Sequence, residues 1–289
     1  MRIVGACAAL LMLTACSPAT AGMNRMANAL ADTSSSYSRD ADPEFVRIAA
    51  PSTLKMVEMM LDGRPRHGGL LMTACSGFTQ YAYAFLQVDA EIVEPRDKAA
   101  AAELKSRAGR MYDRARGYCM RALELTVPGL QKALSADAKG ALARVTRADV
   151  PALYWTAAAL GGSIVTSSNP LLRVGELPVV RALLTRALEL DERWEKGAIH
   201  EMLIALEALP PLLGGSPARA RAHFDRAVEL SGGHSAFAYV TMATSVTSRD
   251  EASRLLNAAL KVDVNQRPEI RLANLVAQKR ARFLLSSGK

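Results

Sequence analysis

From Asp42 onward, apolar residues recur at three- and four-residue steps almost without interruption, which is the period of an amphipathic helix. Asp42-Pro43-Glu44 reads as a helix start: an acceptor at the cap, a proline in the first turn, then an acid near the positive end of the helix dipole. The segment 52–61 repeats the pattern and ends at Asp62-Gly63. Further helices are predicted over about 68–88, 98–126, 151–166, 177–190, 193–208, 216–230, 235–247, 250–262 and 267–286. Val127-Pro128-Gly129, Asn169-Pro170, Pro210-Pro211, Gly214-Gly215-Ser216-Pro217 and Ser231-Gly232-Gly233 separate them. On the last predicted helix Leu272, Leu275, Val276 and Phe283 share one face. No alternating β-branched stretch is long enough to argue for a sheet, so the expected fold class is all-α.

One short pattern recurs. Arg121-Ala122-Leu123-Glu124-Leu125 returns as Arg186-Ala187-Leu188-Glu189-Leu190 and as Arg226-Ala227-Val228-Glu229-Leu230, with a degenerate copy at Ala258-Ala259-Leu260-Lys261-Val262. The equivalent alanines 122, 187, 227 and 259 are separated by one to two periods of about 34 residues, the tetratricopeptide spacing. A small residue where two helices cross lets their backbones approach, and the flanking leucines fill the grooves. The expected architecture is therefore a bundle or solenoid of helical-hairpin, tetratricopeptide-like repeats over 41–289.

Upstream of the helices the chain changes character. Arg2 and the apolar run 3–13 precede Leu13-Thr14-Ala15-Cys16, which matches a bacterial lipobox. The run is too short to span a bilayer, but suits an export signal over 1–15. The Cys16 thiol would take a diacylglycerol and the freed amine a further acyl chain, such as palmitate. Each buried CH₂ adds about 0.8 kcal/mol to such an anchor. Ser17, in place of an aspartate, favours outer-membrane over inner-membrane retention, and residues 16–40 read as a lipidated N-terminus and tether, in which Ser34-Ser35-Ser36 is either tether or a frayed first helix. The expected location is the periplasm, lipid-anchored. Cys75 and Cys119 then remain. An oxidising compartment leaves a disulfide open, although small buried thiols in helices are the commoner arrangement. The net charge of +8 carries an arginine bias that reflects composition as readily as a partner, so no nucleic acid is expected.

The chemistry-bearing residues are sparse. His200-Glu201 lacks the second histidine of a zinc-protease helix, since Ile204 stands there, and His223 beside Phe224 reads as packing. Serine-hydrolase, P-loop and dinucleotide patterns are missing, so no catalysis, metal or cofactor is expected. Gly161-Gly162-Ser163 reads as close helix packing. Arg107, Arg110, Arg114 and Arg121 fall along one helical face with Tyr118. That face is either simply solvated, with Glu103–Arg107 support, or a docking strip for an acidic partner or lipid head groups. The aromatics Phe78, Tyr81, Tyr83 and Phe85 cluster in one helix, and Tyr154 and Trp155 in another. Such clusters build cores, and with buried polar tips also line cavities.

Taken together, several segments resemble the T-component (TatT) family of tripartite ATP-independent periplasmic (TRAP) transporters. They are Asp42-Pro43-Glu44-Phe45, Leu54-Lys55 with Glu58, Gly77-Phe78-Thr79-Gln80-Tyr81-Ala82-Tyr83-Ala84-Phe85, and Asp149-Val150-Pro151 with Leu153-Tyr154-Trp155. Gly197-Ala198-Ile199-His200-Glu201, His223-Phe224-Asp225-Arg226-Ala227 and Arg271-Leu272-Ala273-Asn274 complete the series in order. The resemblance implies a periplasmic lipoprotein of irregular tetratricopeptide-like hairpins that associates with a TRAP substrate-binding protein and forms a homo-oligomer, a trimer. It also implies a cavity or pore for a small, hydrophobic ligand, for which Phe78, Tyr81, Tyr83, Tyr154, Trp155 and His200 are the candidate lining. This chain departs where the family often carries a tryptophan after the alanine run, having Leu160 and Gly161. The expected function is ligand presentation or transfer without catalysis. The alternative is an envelope scaffold that binds proteins and no ligand.

Overall fold

The computed structural model of the chain describes residues 34–288. The export signal, the lipobox and Cys16 lie outside the described residues.

The helices are α1 (Ser34–Ser38), α2 (Pro43–Gly63), α3 (Gly68–Ala82), α4 (Val88–Val93) and α5 (Lys98–Thr126). After them come α6 (Leu130–Ala136), α7 (Ala138–Ala141), α8 (Val150–Thr166), α9 (Leu177–Leu190) and α10 (Ala198–Glu207). The series ends with α11 (Pro217–Ser231), α12 (Ala236–Ala243), α13 (Arg249–Lys261) and α14 (Arg271–Ser286). Among the described residues there is no strand, so the protein is all-α.

The starts are written locally. Asp42 Oδ1 accepts from the Glu44 and Phe45 amides at 2.9 and 3.1 Å, and Asp97, Ser216 and Ser248 cap α5, α11 and α13 in the same way. Besides the predicted helix 193–208, which starts only at Ala198 because Glu195 and Lys196 take left-handed backbone, three elements differ from the sequence pattern. The segment 52–61 is not a separate helix, because α2 runs straight through Pro51, whose ring lies on the exposed side. Between Val127 and Val150, where the pattern predicts no helix, the short α6 and α7 form, and this stretch buries Leu130, Leu134 and Leu142. The third is a π-helical turn over Tyr83–Gln87, which joins α3 to α4.

Helices pack mostly in chain order: α2 on α3, α3 on α5, α5 on α8, and so on to α13 on α14. The last helix then returns to α2 and α4, so the series closes on itself. Charge completes the closure. Asp89 of α4 accepts from Arg47 of α2 at 2.6 Å and from Lys279 of α14 at 2.9 Å, and Arg280 forks onto Glu91 at 2.6 and 3.2 Å. Asn274 is fully buried; its side chain accepts from the Ala236 amide and donates to the His234 carbonyl, serving the start of α12.

The recurring alanines 122, 187, 227 and 259 are all buried, as close helix crossing requires. A Cβ on Gly162 would stand 2.4 Å from the Tyr112 ring, whereas one on Gly161 would meet nothing within 4 Å. Close packing in Gly161-Gly162-Ser163 therefore rests on Gly162. Cys75 and Cys119 are not free thiols. They form a disulfide between α3 and α5, because the two helices pack along their lengths and bring the buried cysteines face to face.

Candidate functional site

The aromatic residues of α3 and of the π-helical turn that follows it meet different rings, since residues two apart on a helix point nearly opposite ways. Phe78 is buried and stacks on Tyr118 of α5 with ring centroids 6.0 Å apart. Half-buried Tyr81 tilts against Phe85 at 5.5 Å. Tyr83, at the start of the π-helical turn, meets Phe237 of α12 edge-on at 5.6 Å. Arg47 braces this turn by donating to the Phe85 carbonyl at 3.0 Å while lying over the Phe85 ring.

On the α2–α5 side, Pro51, Leu54, Lys55, Glu58, Phe78, Tyr81, Met111 and Arg114 line a recess of about 130 Å³. Glu58 is its buried carboxylate. It accepts from the Tyr118 hydroxyl at 2.8 Å and Lys55 at 3.2 Å, with Arg114 Nε at 3.4 Å. Burial, with Glu58 adding to it, pushes the Tyr118 phenol up to about 12. Arg114 also lies over the Phe78 ring at 5.3 Å. Two sets that were separate in the sequence, cavity aromatics and basic strip, thus meet in one recess.

All four arginines of the strip are exposed along α5. Arg110 bonds Ser106 at 2.9 Å, and Arg121 donates to the Pro65 carbonyl at 2.8 Å and covers Tyr118. No ion pair joins Glu103 to Arg107 among the described residues; Arg114 instead reaches across to Glu58 of α2.

On the other side lie Tyr83, Tyr154 and Trp155. Tyr154 is buried between Trp155 at 5.0 Å and Trp194 at 4.5 Å, so both tryptophans of the chain meet on one phenol ring. Burial raises the pKa of Tyr154, with the charges of Glu201 and Glu195 and, least, the Tyr83 phenol adding to it. The Tyr83 hydroxyl is buried and makes no hydrogen bond of good geometry, although the Arg280 guanidinium lies within reach of it. Burial raises its pKa, against the nearby Arg280 guanidinium. Glu201 of α10 also acts on Tyr154, and burial pushes this carboxyl up to about 7 against Ser235 and Arg267.

His200 is buried apart from these groups. Its Nδ1 faces Nδ1 of His223 at 2.8 Å, an arrangement that needs one protonated and one free nitrogen. Its Nε2 stands 3.4 Å from Glu192, which Arg226 grips through two bonds of 2.8 Å and holds down to about 2. Burial lowers both histidine pKa values. His200 is thus a partner of α11 rather than of the aromatic groups, in keeping with its packing role.

A second opening, of about 440 Å³, lies where α4, α13 and α14 meet the loop after α12. Glu91, Thr247, Arg249 and Arg280 contribute its polar lining. The sequence pattern carries no signal for it, since Glu91 joins lining that otherwise comes from residues 243–288. Nor does the sequence pattern mark Trp194 or Phe237; only the packing of 194 on α8 and of α12 on the turn after α3 reveals them.

Among the described residues, no helix is long and apolar enough to cross a membrane, and no group of three or more His, Cys, Asp or Glu side chains is placed to hold a metal. The chain is 27% identical over 263 residues to an uncharacterized protein of Treponema pallidum (strain Nichols), a match that covers 88% of this chain and 81% of the relative. A family model described as TRAP transporter T-component matches residues 39–289, which take in α2 through α14. The chain therefore belongs to the TRAP transporter T-component family.

Proposed function

We propose that the protein is a lipid-anchored periplasmic accessory of a TRAP system that binds the substrate-binding protein and presents or passes on a small organic ligand without chemistry of its own. Family membership supports the place in transport. The ligand part rests on one observation. The closed helix series holds two aromatic groups, Tyr83 with Phe237 and Tyr154 with Trp155 and Trp194, and leaves the buried Tyr83 hydroxyl beside the Arg280 guanidinium with no hydrogen bond of good geometry. An unpaired buried hydroxyl costs roughly 1–3 kcal/mol, and a bound acceptor or donor would remove that cost. Apolar rings with a few polar tips suit a small, largely hydrophobic molecule.

The lipobox at Cys16 and the following Ser17 support the anchor and outer-membrane placement. Anchoring raises the effective concentration of a partner held at the same membrane. The tetratricopeptide-like ancestry of the hairpins, and assembly as a homo-oligomer, a trimer, belong to the same reading.

The test is light-scattering chromatography of the chain, alone and mixed with the substrate-binding protein encoded nearest to it. A defined oligomer that shifts to a stoichiometric complex is the expected result. No shift at tens of micromolar, with or without candidate ligands, would instead favour a scaffold that recruits other envelope proteins.

A further inference from the structure

The outer face of α2 carries apolar residues that the fold does not use. Ile48 is 77% exposed and Met59 65%, with Phe45 and Met56 also at least half open. At about 100° per residue, Ile48, Lys55 and Met59 follow directly round the helix from Leu54 and Glu58, which line the α2–α5 recess. On the far wall of the recess, Arg114 lies in line with Arg107, Arg110 and Arg121 along α5. One continuous surface thus runs from an exposed apolar stripe, through a recess floored by Phe78 and Tyr81, to a basic rim.

We infer that this α2–α5 surface docks an acidic protein surface that inserts one apolar side chain into the recess. Charge complementarity selects the partner. Lys55, Arg107, Arg110, Arg114 and Arg121 outweigh Glu58, Asp62 and Glu103 on this face, Glu44 being paired with Arg47, so the face favours an opposing rim that carries carboxylates. The volume of about 130 Å³ suits a single leucine- or phenylalanine-sized group, the kind of central anchor that dominates docking energy. Glu58 keeps Arg114 and Lys55 gathered at the mouth, where they can pair with incoming acids.

Two other occupants fit less well. A second copy of this chain, with net charge +8, brings more positive charge to a positive rim. An anionic bilayer offers no projecting group to fill a recess, and would set its head groups against the buried Glu58 carboxylate.

The inference rests on the proposed function only for the choice of partner in the test. The full chain in detergent is titrated with the substrate-binding protein at low and moderate salt, as wild type, as Arg107→Glu/Arg110→Glu, and as Met59→Asp. Lys132→Glu/Lys139→Glu, at exposed positions on α6 and α7, controls for overall charge. The α5 reversal should slow association about tenfold and flatten its salt dependence, because rim charges act through steering. Met59→Asp should speed dissociation about tenfold, while the control binds like wild type and all melting curves coincide. Wild-type binding that neither variant alters would overturn the surface and leave the proposed function standing. No wild-type binding would overturn both. Two further outcomes would also refute an acidic protein partner: a variant that changes the oligomer rather than the complex, and a reversal that abolishes flotation of the Cys16→Ser chain on phosphatidylethanolamine–phosphatidylglycerol vesicles.

Discussion

Cys75 and Cys119 are 44 residues apart in sequence and meet between α3 and α5, which lie side by side. A cross-link of that span lowers the entropy of the unfolded chain by an amount worth about 4 kcal/mol at 25 °C in the chain-entropy model. Both cysteines are fully buried, so reductant reaches the bond only when the helices part. The perturbation is therefore to unfold and refold the protein in reductant, which keeps every atom of the core except the bond. For a chain of this size, about 4 kcal/mol corresponds to a melting shift of roughly 8–16 °C. Urea unfolding of the oxidised and reduced forms, followed by circular dichroism, gives the same quantity independently of temperature. Reduced protein that unfolds within about 1 kcal/mol of the oxidised form would refute the entropic reasoning. Unlinked Cys75 and Cys119 peptides, from protein matured in an oxidising compartment, would refute the pairing itself.

Other perturbations reach different parts of the fold. Gly162→Ala would drive a methyl into the Tyr112 ring, whose hydroxyl is tied to Gln87 at 2.7 Å; a loss of about 1–3 kcal/mol in urea titration is expected. Asn274→Ala orphans the Ala236 amide and the His234 carbonyl together, and should cost about 2–4 kcal/mol, with the added amide exchange concentrated in α12. Glu201 titrates near 7 when folded and near 4.5 otherwise, so the folded state holds an extra proton between those values. Its contribution to stability is fully present below about pH 4.5 and declines as pH rises to 7. Glu201→Gln should remove that decline, and a stability difference from wild type that stays constant over the window would contradict it. Because both tryptophans contact Tyr154, an apolar ligand that enters beside it should change intrinsic fluorescence saturably. An unaltered spectrum, at ligand concentrations that saturate the substrate-binding protein, would argue against the site.

The helical period, the caps and the breakers made most of the fold readable along the chain. Lys98–Thr126 begins after Asp97 and ends at the Val127-Pro128-Gly129 breaker, and Leu177–Leu190 begins after Asn169-Pro170 and its short connector. These are local effects, set by which residues can satisfy or block backbone hydrogen bonds within one turn. The buried alanines of the recurring pattern were legible for a related reason: a small residue flanked by leucines has few uses other than a helix crossing. The local rules failed at Pro51, where α2 continues despite the missing amide, with Val46, Leu54 and Val57 buried on either side of it.

What the tertiary structure alone decided involves groups distant in sequence. The disulfide needed the lateral register of α3 and α5, which no cysteine spacing encodes. The edge-on meeting of Tyr83 with Phe237 needed α12 to pack against the π-helical turn after α3. Arg114 joined the aromatic recess through Glu58 on α2, not through its own helix. Trp194 became part of the interior group only because the α8 and α10 neighbourhoods pack together, and the closure of α14 on α4 depends on Lys279 and Arg280 meeting acids some 190 residues earlier. Periodicity reports which face of a helix is apolar. Which partner that face meets is settled by the summed packing of the whole chain, a long-range term no single segment carries.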